Sequence, residues 1–158
     1  MGHVPASDTV EAGVLSFQEA LRPTPVDYDR DRWLYVPDHY SEYRYLLGTR
    51  GERPLVCVGI NPSTAAPDAL DNTLKSVSRI AEANGYDSFL MFNVYAQRAT
   101  RPDDMDRSCN ERLHRENMAA FAYVLSRVAA GGVSPALWAA WGTIIEKRPY
   151  LPDCVRDM

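Results

Sequence analysis

The stretch Leu55-Val56-Cys57-Val58-Gly59-Ile60-Asn61-Pro62-Ser63-Thr64-Ala65 decides how the rest of the chain is read. Its opening residues are apolar or small, and Val56, Val58 and Ile60 are β-branched. A run of that kind is how a strand buried on both faces reads. It stops at Asn61-Pro62-Ser63-Thr64, because Pro62 holds Asn61 extended and has no N–H to give to a sheet ladder. The side chains of Asn61, Ser63 and Thr64 are thereby delivered just past the strand's carboxyl end, where open α/β sheets bind their ligands.

Working outward from that strand, Asp71 offers an N-cap for a helix over 72–84, with Leu74, Val77, Ile80 and Ala81 on one face and Asn84-Gly85 as the stop. Residues 88–94 read as a second buried strand, and strand–helix–strand at this spacing is a parallel crossover. Ser108-Cys109-Asn110-Glu111 has the form of a capping box. It predicts a helix to about 130, with Leu113, Phe121, Val124, Leu125 and Val128 inward. Residues 136–140 form a third short buried strand, closed by Trp141-Gly142. Upstream, 43–47 alternates as a strand and 48–53 is a turn. The rings of Tyr28, Trp33, Tyr35, Tyr40, Tyr43 and Tyr45 read as a packed peripheral layer rather than a base-stacking cleft. Residues 1–7 are a loose tail and 8–21 carry a helical stripe ended by Pro23 and Pro25. The expectation is one α/β domain over 1–158, with 1–30 as tail and peripheral helix. Its architecture is three-layer α/β/α around a short, mostly parallel central sheet.

At 158 residues, 46% hydrophobic and 24% charged, the chain suits one core of ordinary globular composition. No apolar run reaches bilayer length, so no membrane partner is expected and a cytoplasmic location is the default. Cys57, Cys109 and Cys154 make no C-x-x-C pair, and His3, His39 and His114 have no ligand spacing. No metal and no cofactor is therefore expected, and Pro62 stands where a phosphate loop would present backbone N–H groups. Ser63 lies outside any Gly-x-Ser-x-Gly elbow. A net charge of −4 speaks against a broad nucleic-acid-coating surface but leaves room for a local basic groove.

Two strands end in asparagine, Asn61 and Asn93. Adjacent parallel strands bring both amides to one edge, where a donor and an acceptor together read a flat heterocycle or orient a water. A neutral amide is no strong base, so its contribution is orientation. Ser63, Thr64, Arg98 and Thr100 join the candidate site, and Gly59 allows close approach. Arg98 is expected at the crevice rim, meeting a phosphate or pairing with Asp103 or Asp104.

The series Asn61-Pro62-Ser63-Thr64-Ala65, Asp71-x-Thr73, Asn93-Val94-Tyr95-Ala96-Gln97-Arg98-Ala99-Thr100-x-Pro102 and Trp141-Gly142 resembles an uncharacterised bacterial and phage family, filed as domain of unknown function 1643. The resemblance covers roughly 43–145 and carries no activity with it. More distantly, Gly59-Ile60-Asn61-Pro62 is similar to the first motif of the mismatch-specific branch of the uracil-DNA glycosylases, and the later segments follow in that branch's order. What this resemblance implies is a glycosylase-like fold, a nucleobase crevice and hydrolysis of an N-glycosidic bond. Asn61 would then be the catalytic residue, orienting water. Asn93 would read the base, Gly59, Pro62, Ser63, Thr64 and Thr100 would shape the substrate site, and Arg98 would contact phosphate or hold the loop.

Two departures bear on the activity. Ser63 stands where the glycosylase motif has Gly, and after Gly142 the chain runs to Met158 without the family's second, duplex-entering motif. The sequence-level expectation is a protein that recognises DNA or a nucleotide or nucleobase, as a possible DNA glycosylase. A non-catalytic binding protein of the same fold and an enzyme on a free nucleotide or nucleoside stay open beside it. A crevice with one wall open, excising no base from duplex DNA, completes the expectation.

Overall fold

The computed structural model describes residues 2–5, 14–132 and 134–158. Residues 6–13, which include the first part of the expected N-terminal helical stripe over 8–21, lie outside the described residues. The described part of that stripe is one short helix, α1 (Phe17–Ala20), started by a reciprocal capping box between Ser16 and Glu19. The strands are β1 (Trp33–Val36), β2 (Leu46–Thr49), β3 (Pro54–Gly59), β4 (Ser88–Asn93) and β5 (Ala136–Ala139). The longer helices are α2 (Asn72–Ala83), α3 (Glu111–Ala130) and the terminal α4 (Leu151–Asp157). Short 3-10 turns occupy Pro102–Asp104 and Gly142–Glu146.

The protein is α/β, with a five-stranded mixed sheet in the order β1-β2-β4-β3-β5. The three strands read from apolar runs do share this sheet, and β4, β3 and β5 are parallel neighbours. The sheet as a whole is not mostly parallel: β1 and β2 add two antiparallel pairings on the β4 side. β1 was hidden in the aromatic segment, where its residues read as surface packing. Residues 48–53 are only partly a turn, since Gly48 and Thr49 belong to β2, opposite Leu34 and Trp33. A Cβ at Gly48 would overlap the Phe89 carbonyl oxygen, so the close contact of β2 with β4 requires glycine.

Side chains alternate across the sheet into two cores. Val56, Val58, Leu90 and Phe92 pack with α1, α3 and α4, through Phe17, Leu113, Phe121 and Leu151. Leu55, Cys57, Phe89 and Met91 face α2, through Leu74, Val77 and Ala81. β5, at the sheet's edge, departs from the expected buried strand: alternate residues are exposed, Leu137 at 57%, so one of its two faces is left uncovered. The N-cap of α3 is Asn110, whose side chain accepts from Leu113 N–H, rather than Ser108. No helix among the described residues is long and apolar enough to cross a membrane.

Candidate functional site

After β3 the chain moves to β4 on one side, yet β5 lies on the other side of β3. Such a reversal opens a crevice at the carboxyl ends of the strands. Here it is a cleft of about 490 Å³. Gly59, Asn61, Pro62, Ser63, Asn93 and Thr100 line it, as do Asp71 and Thr73 at the start of α2 and Trp138 and Trp141 at the β5 end.

Register explains why Asn93 arrives there. Gly59 and Asn93 are partners across the β3–β4 pair and point to the α2 face. Gly59 leaves the space that the Asn93 side chain uses: a Cβ there would stand 3.0 Å from Asn93 Oδ1 and 2.7 Å from Met91 Cε. The close approach is thus made by a neighbouring side chain of the protein itself. Asn93 is 1% exposed, and its Nδ2 has no hydrogen-bond partner. The main-chain carbonyl oxygen of Asn93 accepts from Asn117 Nδ2 of α3, on the opposite face, at 2.9 Å.

Asn61 reaches the same cleft but spends its donor on the loop. Asn61 Nδ2 donates to the carbonyl oxygens of Ala99 at 2.8 Å, Pro62 at 3.1 Å and Gln97 at 3.3 Å. The loop after β3 and the loop after β4 are thereby tied into one wall. Ser63 Oγ and Thr100 Oγ1 lie 2.8 Å apart and close the mouth, with His3 N–H also donating to Thr100 Oγ1.

Arg98 corrects the expectation most sharply. It is 0% exposed, does not line the cleft and pairs with neither Asp103 nor Asp104. Its Nη1 donates to the Ser63 carbonyl and to Ala65 O at 3.1 Å, and Nη2 donates to Tyr35 Oη at 2.6 Å. The guanidinium also sits 4.0 Å from the Tyr40 ring centroid. The Arg98 guanidinium thereby ties the Ser63–Ala65 segment to Tyr35 of β1. Thr64 also stays outside the lining. The aromatic residues of the N-terminal third pack or hold Arg98, and none of the six lines the cleft.

Arg44 is the cleft residue that sequence reasoning missed. It lines the cleft, is 1% exposed and donates from Nη1 to Ala65 O at 3.3 Å, while its Nε has no partner. Burial, and then Arg98 beside it, push this guanidinium down to about 9. Burial lowers Arg98 as well. The available signal was an arginine inside Tyr43-Arg44-Tyr45-Leu46-Leu47, a run otherwise made for the interior.

A larger groove of about 870 Å³ lies on the other face, between the sheet and α3. Its floor is apolar, with Phe17, Leu34, Leu46 and Val124, its lining also includes Arg50, Glu52, Arg53 and Arg127, and none of its described side chains is a buried unpaired donor. Size alone does not make it the functional cleft. Among the described residues no group of three or more His, Cys, Asp or Glu side chains is placed to hold a metal ion.

Against known proteins, the family profile described as "Protein of unknown function (DUF1643)" matches residues 44–158. The chain belongs to this family. The DUF1643 match begins at Arg44 and includes Asn61, Asn93, Arg98 and Asn117, so it spans the cleft's polar residues. Tyr35 and Tyr40, which hold Arg98 from β1 and the following loop, fall before it. No curated protein and no solved structure matches the chain.

Proposed function

We propose that the cleft recognises a nucleobase or nucleotide, after the manner of the DNA glycosylases that the motif series resembles. The observation that carries this reading is the Asn93 amide, buried beside the cleft with Nδ2 unpartnered. A buried donor left unmatched costs roughly 1–3 kcal/mol, and a carbonyl or ring nitrogen of a base would remove that cost. Trp138 and Trp141 add flat apolar surface of the kind on which bases stack. The volume is that of an ordinary small-ligand pocket.

The reaction implied by the resemblance is N-glycosidic hydrolysis. In that reaction Asn61, with Nδ2 fixed to three carbonyls, would offer Oδ1 to orient the attacking water. Asn93 would hold the base, and Gly59, Pro62, Ser63 and Thr100 would shape the pocket around it. Calorimetry with bases, nucleosides and nucleotides tests recognition, and alkaline cleavage of lesion-bearing single strands and duplexes tests excision. Binding lost in Asn93→Leu supports the reading; wild-type protein that binds none of these compounds overturns it.

A further inference from the structure

Arg44 and Arg98 are two buried cations that form no salt bridge among the described residues. They are not equivalent. Arg98 has three acceptors and an aromatic face, so its charge is spread over a built cage. Both Nε atoms lack a partner, but Arg44 has only one long hydrogen bond from its Nη atoms, and it alone has a place in the cleft wall. A guanidinium presents its donors in a planar fork, and the fork suits the paired oxygens of a phosphate or carboxylate.

The surroundings carry the same sign. α2, twelve residues long, starts at this wall, and its amino end adds a partial positive charge within the first turn. Asp71 is the only carboxylate in the lining, and as N-cap it accepts from Leu74 N–H at 2.9 Å. One guanidinium and a helix amino end therefore face one carboxylate that is already engaged, with the Arg98 guanidinium buried behind the wall. Removing a cation from water costs several kcal/mol unless an opposite charge answers it. Nothing else in the cleft wall answers Arg44.

We propose that Arg44 seats a phosphate group, so that the ligand of this cleft is a phosphorylated nucleoside and not a free base. The base half of that statement rests on the reading of Asn93 above; the phosphate half stands on Arg44 alone. The cleft's volume of about 490 Å³ accommodates both halves of a mononucleotide. The phosphate comes either from a free nucleotide or from a strand of nucleic acid, and the two differ in length, not in the group that Arg44 meets.

The test compares inorganic phosphate, nucleoside 5′- and 3′-monophosphates, the matching nucleosides and a short single strand, in chloride buffer of matched ionic strength. Expected results are a phosphate-dependent rise in melting temperature and binding of at least one monophosphate about tenfold or more tighter than its nucleoside. A strand that outcompetes every mononucleotide assigns the phosphate to nucleic acid. Arg44→Met should melt no lower than wild type in chloride and should lose the phosphate response, whereas Arg79→Met, on the exposed side of α2, should keep it. Equal binding of nucleoside and nucleotide, with no response to phosphate, overturns the proposal while leaving base recognition intact. A phosphate response without any nucleoside preference supports the seat and removes the base reading. Should Arg44→Met not fold, the wild-type comparison decides alone.

Discussion

Arg44 and Arg98 donate to one acceptor, the Ala65 carbonyl oxygen, at 3.3 and 3.1 Å. One backbone atom thus holds two buried guanidinium groups side by side at the end of the Asn61–Ala65 loop. Like charges that close repel, and the protein tolerates the pair by giving Arg98 most of the available acceptors. The shape of the cleft loop and the under-bonded state of buried Arg44 both descend from that arrangement.

Arg98→Lys should destabilise the fold. A lysine ammonium cannot span Ser63 O, Ala65 O and Tyr35 Oη together. The expected loss is about 2–4 kcal/mol, or a melting temperature lower by roughly 5–10 °C. An unchanged melting curve would show that the cage does not stabilise the loop.

Asn61→Asp should be worse than Asn61→Ala. The alanine variant takes the side-chain donor from the carbonyls of Gln97 and Ala99, while Pro62 O keeps the Ala99 N–H, for a loss of roughly 1–3 kcal/mol. The aspartate variant turns a carboxylate oxygen onto those same acceptors and adds repulsion. Urea titrations of the two variants check the order. A reversed order would mean that the Asn61 amide faces the cleft and not the loop.

Asn93→Leu should leave the unliganded protein as stable as wild type, or slightly more so. The side chain has nearly the same shape, and an unpartnered buried donor is removed with it. Thermal melts without ligand measure this. A loss above about 2 kcal/mol would mean that the amide is satisfied within the protein.

Gly48→Ala and Gly59→Ala should differ. At Gly48 the added carbon meets the Phe89 backbone and the strands must separate, so a loss of about 3 kcal/mol or more is expected. At Gly59 it meets the flexible end of Met91 and the Asn93 amide. About 1 kcal/mol is expected there, together with displacement of Asn93 and loss of ligand binding. Parallel denaturation and calorimetry separate the two sites.

Asp38 supplies a pH dependence unrelated to the cleft. Burial alone would raise its carboxyl, but Arg30 at 2.6 Å, Thr24 N–H at 2.7 Å, Thr24 Oγ1 at 2.8 Å and His39 at 3.2 Å together hold it well below the usual carboxylate range. A carboxyl depressed in the folded state contributes stability that is present above the unfolded value, about pH 4. That contribution is lost as pH falls through the folded value. Asp38→Asn should therefore melt lower near neutral pH and narrow the gap between neutral and acid melting temperatures. A gap unchanged from wild type would place the acid sensitivity elsewhere.

Elements whose cause is local can be read from the residues alone. Pro54–Gly59 and Ser88–Asn93 are buried strands because their apolar runs suit no other environment, and α2 begins where Asp71 caps it. Helix-length spacing was enough to make the β3–β4 pair parallel. It was enough, too, to bring Asn61 and Asn93 to one cleft. What needed the tertiary structure was everything that depends on a distant partner. β1 and β2 join antiparallel because each strand's neighbour is chosen across the whole sheet, and β5 is half exposed because one of its faces is left uncovered. Hydrogen bonds across more than thirty residues decide that Asn61 faces Ala99 and that Arg98 faces Ser63. No local pattern contains such pairings. A charged residue in an apolar run announces that something must answer its charge. Only the folded chain shows that Arg98 is answered from within and that Arg44 is left facing the cleft.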